Sequence, residues 1–320
     1  MNSVAILGAG AWGTALALQA SRAGCAVTLI PRSPARAAEM ARARANPRLP
    51  GAVLPDGIAL ASAVPGDVEA ILLVPPLQHL REVAASLRPG DAPLVVCAKG
   101  IEAGTLRLPL EIVAELHPGR PTAFLTGPNF AHEIAAGQPA ASVLAAADTA
   151  LRARLTGLLA TPEFRLYGNE DAVGAQVGGA AKNVIAIAAG AVIGAGLGEN
   201  ARAALITRGL AELSRAAEAL GGRPETVMGL SGLGDLLLTC TGASSRNFSL
   251  GQALGRGERL AEVLAARSTV TEGVATAPAL VARAGGVDLP VCRAVAALLA
   301  GETTLQAAIA ELLARPRRDE

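Results

Sequence analysis

Between Ala172 and Gly198 the sequence runs AVGAQVGGAAKNVIAIAAGAVIGAGLG, and its one charge is Lys182. An ammonium in such surroundings must find partners, reach water or shift its pKa downward, because burying an isolated charge is costly. A lysine shifted in that way can give and take a proton near neutrality. The plain alternative is a lysine that snorkels from the end of a core helix. Composition favours the first reading. Of 28 basic residues only Lys99 and Lys182 are lysines, so where a cation has merely to be solvated this chain uses arginine. Its two compact, titratable ammonium groups are the first candidates for chemistry.

Two polar stretches further on are candidates for holding a ligand. In Ser231-Gly-Leu-Gly-Asp235, Asp235 opens the apolar run LLLTC and reads either as an N-cap carboxylate or as a site residue. Thr241-Gly-Ala-Ser-Ser245-Arg246-Asn247 precedes the helical pattern FSLGQALG. Hydroxyl, guanidinium and amide groups at a helix start make a phosphate site.

These residues need a scaffold, and the N-terminus supplies one. Val4 to Leu7 is an apolar strand running into Gly8-Ala-Gly10-Ala-Trp-Gly13, then a helical stretch, then a second strand from Ala26 to Ile30. This is the dinucleotide fingerprint in its strand, turn, helix, strand setting. Gly8 makes the tight turn, Gly10 admits the pyrophosphate, and Gly13 lets the helix pack on the sheet. The free amides of the helix start at Ala11 receive the pyrophosphate, with Trp12 either a core anchor or, from its place at the turn, a shield over the cofactor. Where the fingerprint wants an acidic residue on the ribose, this chain has Arg32, which suits a 2′-phosphate, so NADP should bind at least as well as NAD.

Further strands are expected over Val68–Val74, Pro93–Ala98, Thr122–Leu125 and Ala141–Ala146. Helices are expected over 34–45 and Leu77–Leu87, with a Pro/Gly-punctuated connection over 46–67. Lys99 falls at the carboxyl end of its strand, the edge where ligands sit in an open α/β sheet. Gly127-Pro128 is a turn that could present amides and Asn129 to a ligand. From Asp171 onward the pattern stays helical. The expected plan is an α/β Rossmann-type dinucleotide-binding domain over 1–178 followed by an all-α domain over 179–320, each of ordinary size.

With 320 residues and 51% hydrophobic content the chain can fill two cores. A net charge of +1 and 2% aromatics offer no field or stacking surface for nucleic acid. Cys25, Cys97, Cys240 and Cys292 are scattered without a CxxC, and His79, His117 and His132 are isolated, so neither disulfide nor metal site is expected. The apolar run from Val184 to Gly198 is short for a membrane span and carries four glycines, so a buried helix fits better. SVAILGAG reads as a strand entering a turn, not a signal peptide. The cytoplasm is the default compartment, and a homodimer is expected on general grounds.

Seven motifs stand in one order: Lys99-Gly-Ile-Glu102, Gly127-Pro-Asn-Phe-Ala131, Lys182-Asn183, Asn200-Ala-Arg-Ala-Ala-Leu-Ile-Thr-Arg-Gly209, Gly232-Leu-Gly-Asp-Leu236, Ser245-Arg-Asn247 and Glu272-Gly-Val-Ala-Thr-Ala277. In these the chain resembles bacterial NAD(P)-dependent glycerol-3-phosphate dehydrogenase, from residue 3 to about residue 300. The resemblance implies reversible reduction of dihydroxyacetone phosphate to sn-glycerol 3-phosphate, feeding phospholipid synthesis. It implies Lys182 as proton donor and acceptor, with Lys99, Gly127, Asp235, Ser245, Arg246 and Asn247 on the substrate. It also implies Trp12, Arg32, Lys99, Ala131, Arg246, Val270 and Glu272 on the cofactor. The family usually has Ser at position 129 and near 76, where this chain has Asn129 and Pro76; Asn129 still offers hydrogen bonds. Segment NPRLPG lacks an aromatic that relatives often place before Leu-Pro. Two rival readings stay open. A β-hydroxyacid-type dehydrogenase also uses a helix lysine, but the Ser-Arg-Asn loop argues against it. A non-catalytic NAD(P) sensor has no use for Lys182, Asp235 and that loop together.

Overall fold

The apolar runs of the first half become one eight-stranded sheet. In the computed structural model, which describes residues 2–242, 244–267 and 269–315, the strands are β1 (Ser3–Leu7), β2 (Ala26–Ile30), β3 (Ile58–Leu60), β4 (Ala70–Leu73), β5 (Leu94–Val96), β6 (Thr122–Thr126), β7 (Ala140–Ala145) and β8 (Phe164–Asn169). Their order is β3-β2-β1-β4-β5-β6-β7-β8. β1 to β6 run parallel to their neighbours, β7 is antiparallel to β6, and β8 is parallel to β7. Strands β4 and β5 are buried along their whole length, as expected where a parallel sheet is covered on both faces.

The helices of this half are α1 (Ala11–Arg22), α2 (Pro34–Ala43), α3 (Leu80–Ala85), α4 (Pro109–Leu116), α5 (Ala131–Ala135) and α6 (Thr149–Leu159). Ser33 caps α2, its hydroxyl accepting from Arg36 N at 3.3 Å with Pro34 in the first turn. Asp148 caps α6 in the same way. The second half holds α7 (Ala172–Gly194), α8 (Gly198–Ala219), α9 (Pro224–Val227), α10 (Asp235–Thr241), α11 (Arg246–Gly255), α12 (Leu260–Ala265), α13 (Glu272–Arg283), α14 (Pro290–Ala300) and α15 (Leu305–Leu313).

The structure adds two strands that the sequence reading lacked. β3 lies inside the connection expected over 46–67, and β8 lies where only helices were expected. They are the two edges of the sheet; β3 is only three residues long, Ile-Ala-Leu, and β8 interrupts its apolar residues with Arg165, Gly168 and Asn169 and is largely solvent-accessible. The helix expected over Leu77–Leu87 is a 3-10 turn at Leu77–His79 followed by the short α3.

The chain divides into two compact units: one takes the residues up to Lys99 together with Arg107–Gln176, the other Gly100–Leu106 and the chain from Val177 onward. The limit near Gln176 falls within α7. That helix is long and apolar enough to cross a bilayer, yet 83% of its most apolar window is buried in the protein.

In the second unit α7 and α11 cross with backbone against backbone. A Cβ on Gly190 would lie 2.0 Å from Phe248 O, and on Gly194 2.2 Å from Gln252 O; one on Gly251 would lie 1.9 Å from Ile187 O, and on Gly255 2.4 Å from Ala191 O. Each helix thus offers a glycine pair four residues apart, one face of a helix, to the carbonyls of the other. This crossing fixes the start of α11 against the helix that carries Lys182.

Candidate active site

In the sheet-bearing unit the candidate residues sit at the carboxyl ends of parallel strands. Strand order reverses between β1 and β4, the switch point at which such sheets bind ligands. Gly8 has φ +113°, and a Cβ there would lie 2.7 Å from the carbonyl of Val74. Gly13 packs so tightly that a Cβ would meet Gly8 O at 1.8 Å. Around Gly10 a Cβ would meet nothing within 4 Å, and Gly10 caps α1 without any side chain over the helix end. Open space before bare helix-terminal amides fits a dinucleotide's pyrophosphate. Ala11 opens α1. Trp12, expected as a shield over the cofactor or a core anchor, is half-buried and packs against two apolar clusters. Arg32 follows β2 and is exposed, while Ala131 opens α5.

Lys99 follows β5 and donates from Nζ to Gly127 O at 3.2 Å, so two expected site residues meet. Gly127 has φ +136°. Asn129 Nδ2 donates to Ser142 Oγ at 2.7 Å, whereas Asn129 Oδ1 and Thr126 Oγ1 are buried without a hydrogen-bond partner.

In the helical unit Lys182 is 8% exposed and Asp235 1%. Lys182 Nζ donates to Asp235 Oδ1 in a buried ion pair and to Thr239 Oγ1 at 3.0 Å. The lysine therefore does not snorkel; it finds partners. Asp235 is the first residue of α10, and the cap position is Gly234, so its carboxylate meets Lys182 from the first turn of the helix and not from the cap position. Thr239 sits one turn further along, and its hydroxyl donates to Asp235 O at 2.5 Å, which turns its lone pairs toward the ammonium. A buried charged pair is tolerable only with such extra hydrogen bonds. Gly178, one turn before Lys182, admits backbone: a Cβ there would lie 2.7 Å from Ser231 O. Cys240, next to Thr239, is no nucleophile. Burial pushes its thiol up to about 12, against the pull of Lys182.

Ser245 caps α11, accepting from Phe248 N at 3.2 Å. Arg246 is exposed at the helix start and donates from Nη1 to Val270 O at 2.8 Å. Asn247 is buried, and its carboxamide works at both ends: Nδ2 donates to Asn183 Oδ1 at 2.8 Å, and Oδ1 accepts from Gly273 N at 3.0 Å. Asn247 thus ties α7 to the first turn of α13, which Glu272 opens. Thr239, Asn183 as a bonded partner, and Ser142 escaped the sequence reading. The i, i+4 spacing of Asp235 and Thr239 was an available signal for the first; Ser142 had none.

The description of the NAD-dependent glycerol-3-phosphate dehydrogenase N-terminus matches residues 3–152, and that of its C-terminus matches 171–310. The chain is 56% identical, over 99% of its length and 98% of the relative's, to a glycerol-3-phosphate dehydrogenase (NAD(P)+) of Acidiphilium cryptum. This chain belongs to the NAD-dependent glycerol-3-phosphate dehydrogenase family. A family relative from Gluconobacter oxydans is 52% identical over 98% of this chain and 97% of its own. The crystal structure of glycerol-3-phosphate dehydrogenase from Coxiella burnetii superposes with a TM-score of 0.93 at 37% identity, covering 98% of this chain and 99% of that one. The Rossmann-like sheet followed by helices is thus the architecture of the glycerol-3-phosphate dehydrogenases.

Proposed function

We propose that this protein catalyses the reversible reduction of dihydroxyacetone phosphate to sn-glycerol 3-phosphate with NADPH or NADH, supplying glycerophospholipid synthesis in the cytoplasm, and that it works as a homodimer. The observation that carries the chemistry is Lys182, held by Asp235 and Thr239 as the one charge of its helix. When bound, the reduced nicotinamide supplies the hydride. Lys182 gives a proton to the oxygen that was the ketone, a contribution of about a hundred- to ten-thousandfold. Asp235 keeps the ammonium charged and aimed. Once the proton has left, a buried carboxylate faces a neutral amine, which favours reloading the lysine. Asp235 also orients a substrate hydroxyl in this reading, and Lys99 adds positive charge near the developing oxyanion.

Ser245, Arg246 and Asn247 take the substrate phosphate at the start of α11, Asn247 also fixing that turn through Asn183 and Gly273. Gly127 and Asn129 complete the substrate contacts, the orphaned Asn129 Oδ1 being an acceptor in want of a donor. Gly8, Gly10, Ala11 and Gly13 hold the pyrophosphate, and Trp12, Arg32, Lys99, Ala131, Arg246, Val270 and Glu272 complete the cofactor contacts. The reading is tested by following nicotinamide absorbance after mixing the protein with dihydroxyacetone phosphate and, separately, NADPH or NADH. Absorbance falls in both cuvettes if it holds; no fall with cofactor demonstrably bound would reassign the protein to an unphosphorylated acid or to sensing.

Two variants probe the specificity of this site. Arg246→Gln is expected to raise KM for dihydroxyacetone phosphate about 10- to 100-fold, the worth of a charged hydrogen bond to phosphate. An unchanged KM would place the phosphate elsewhere. Arg32 has no partner among the described residues, so its guanidinium is available to a 2′-phosphate. Arg32→Ala should therefore lower the NADPH to NADH preference in kcat/KM about two- to fivefold, for loss of one exposed charged contact. A constant ratio would remove Arg32 from cofactor choice.

A further inference from the structure

Asn46, in the loop after α2, is 1% exposed, and every polar atom of its side chain is engaged. Its Oδ1 accepts from Arg36 Nη2 at 3.1 Å and from Arg48 N at 3.1 Å. These two donors can be met only by the carboxamide oxygen, which directs Nδ2 the other way. There Nδ2 donates to Ala9 O at 3.0 Å and to Thr14 Oγ1 at 2.7 Å. Ala9 is the middle residue of the Gly8-Ala9-Gly10 turn, and Thr14 lies in the first turn of α1, wholly buried. One side chain therefore joins the glycine turn, α1, α2 and its own loop.

The bond to Ala9 O matters because a trans peptide is planar, with its C=O and N–H pointing in opposite directions. Holding the carbonyl of Ala9 on Asn46 fixes where the N–H of Gly10 points. Gly10 has no side chain to restrict it, and its surroundings are open, so nothing on the ligand side holds that peptide plane. Arg36 cannot substitute as a ligand contact, since its guanidinium is divided between Asn46 and Glu39, the latter at 2.6 Å.

We infer that Asn46 is a positioning residue for cofactor binding, which presets the Ala9–Gly10 peptide so that its amide faces the diphosphate before the cofactor arrives. This rests on the reading that the glycine turn takes the diphosphate of NAD(P). Preorganisation of this kind shows as affinity. Because the diphosphate is common to both cofactors, Asn46 acts on NADPH and NADH alike, unlike Arg32.

The test is Asn46→Asp, which keeps the acceptor for Arg36 and Arg48 but sets a carboxylate oxygen against Ala9 O. Dissociation constants for NADPH and NADH are read by nicotinamide fluorescence without substrate. Both are expected to weaken about 10- to 100-fold with their ratio held, while kcat and KM for dihydroxyacetone phosphate at saturating cofactor stay within about threefold. Thr14→Val, which removes the second acceptor and spares the Ala9 bond, should leave both constants within about threefold of the parent; these bounds come from the same hydrogen-bond arithmetic. Parental binding by Asn46→Asp, a changed cofactor ratio, or an equal loss in Thr14→Val would each overturn the inference. Absence of cofactor binding by the parent would instead overturn the reading of the turn.

Discussion

Lys182→Met is expected to lower kcat about a thousandfold, within the range for loss of a positioned proton donor, while NADPH binding measured by fluorescence stays at the parental value. The same change leaves Asp235 buried without its ammonium, so stability should fall by about 3–5 kcal/mol. That loss has a pH signature. An unpaired buried carboxylate prefers its protonated form, so the variant binds a proton more readily folded than unfolded and regains stability as pH falls. Adding Asp235→Leu separates the two effects. Replacing both members of a buried pair by apolar groups is close to neutral for stability, so thermal unfolding of Lys182→Met/Asp235→Leu should return toward the parent while turnover stays lost. A Lys182→Met protein within tenfold of the parental kcat would remove the lysine from proton transfer. Recovery of activity in the double variant would show that the single change had acted through misfolding.

Gly251→Ala should reduce kcat/KM about a hundredfold through a single added methyl group. That methyl would sit 1.9 Å from Ile187 O, so α11 must move off α7 by an ångström or so, and displacements of about 1 Å can cost 10²-fold in rate. Arg246 and Asn247 lie one turn before Gly251 and travel with the helix. Overpacking should cost about 1–3 kcal/mol, partly offset by about 1 kcal/mol from alanine's better helix propensity. The activity loss is therefore expected to exceed the thermal one, with KM for the phosphorylated substrate carrying most of it. Gly257→Ala is the control. Its Cβ would meet nothing within 4 Å, and only the backbone at φ +87° is strained, at about 1–2 kcal/mol. Equal kcat/KM values for the two variants would mean that α7 and α11 do not depend on close contact.

What the sequence disclosed follows from how local each signal is. The glycine turn between β1 and α1 is set by contacts within a dozen residues, so GAGAWG announced both the sheet and its ligand end. Lys182 was legible because one charge in an apolar helix needs an explanation. Its partners were less so: Asp235 lies 53 residues away, and its alternative use as a helix cap could be dismissed only once α10 was seen to be capped by Gly234. The spacing of Gly190 with Gly194 and of Gly251 with Gly255 was in plain view but pairs only across a long-range crossing. Asn46 carried little signal, since it sits in an irregular loop just before Pro47 and acts on a carbonyl 37 residues earlier. Edge strand β3 escaped because three apolar residues are too short a run to stand out from a connection, and β8 because its half-exposed mix of polar and apolar residues shows no strand pattern.

The seven residues from Gly100 to Leu106 belong with the helical unit although they interrupt the other one. They leave the ribosome directly after Lys99, before any of the residues from Val177 onward with which they are grouped. During synthesis the sheet-bearing unit can gather its own strands as they appear, yet this stretch meets the rest of its unit only once the chain is more than half made. A gene fragment beginning at Val177 would lack it altogether. Expression of the helical half as a separate piece is therefore expected to need those seven residues supplied by a complementing N-terminal fragment, with α7 spliced at a point where it is one continuous helix.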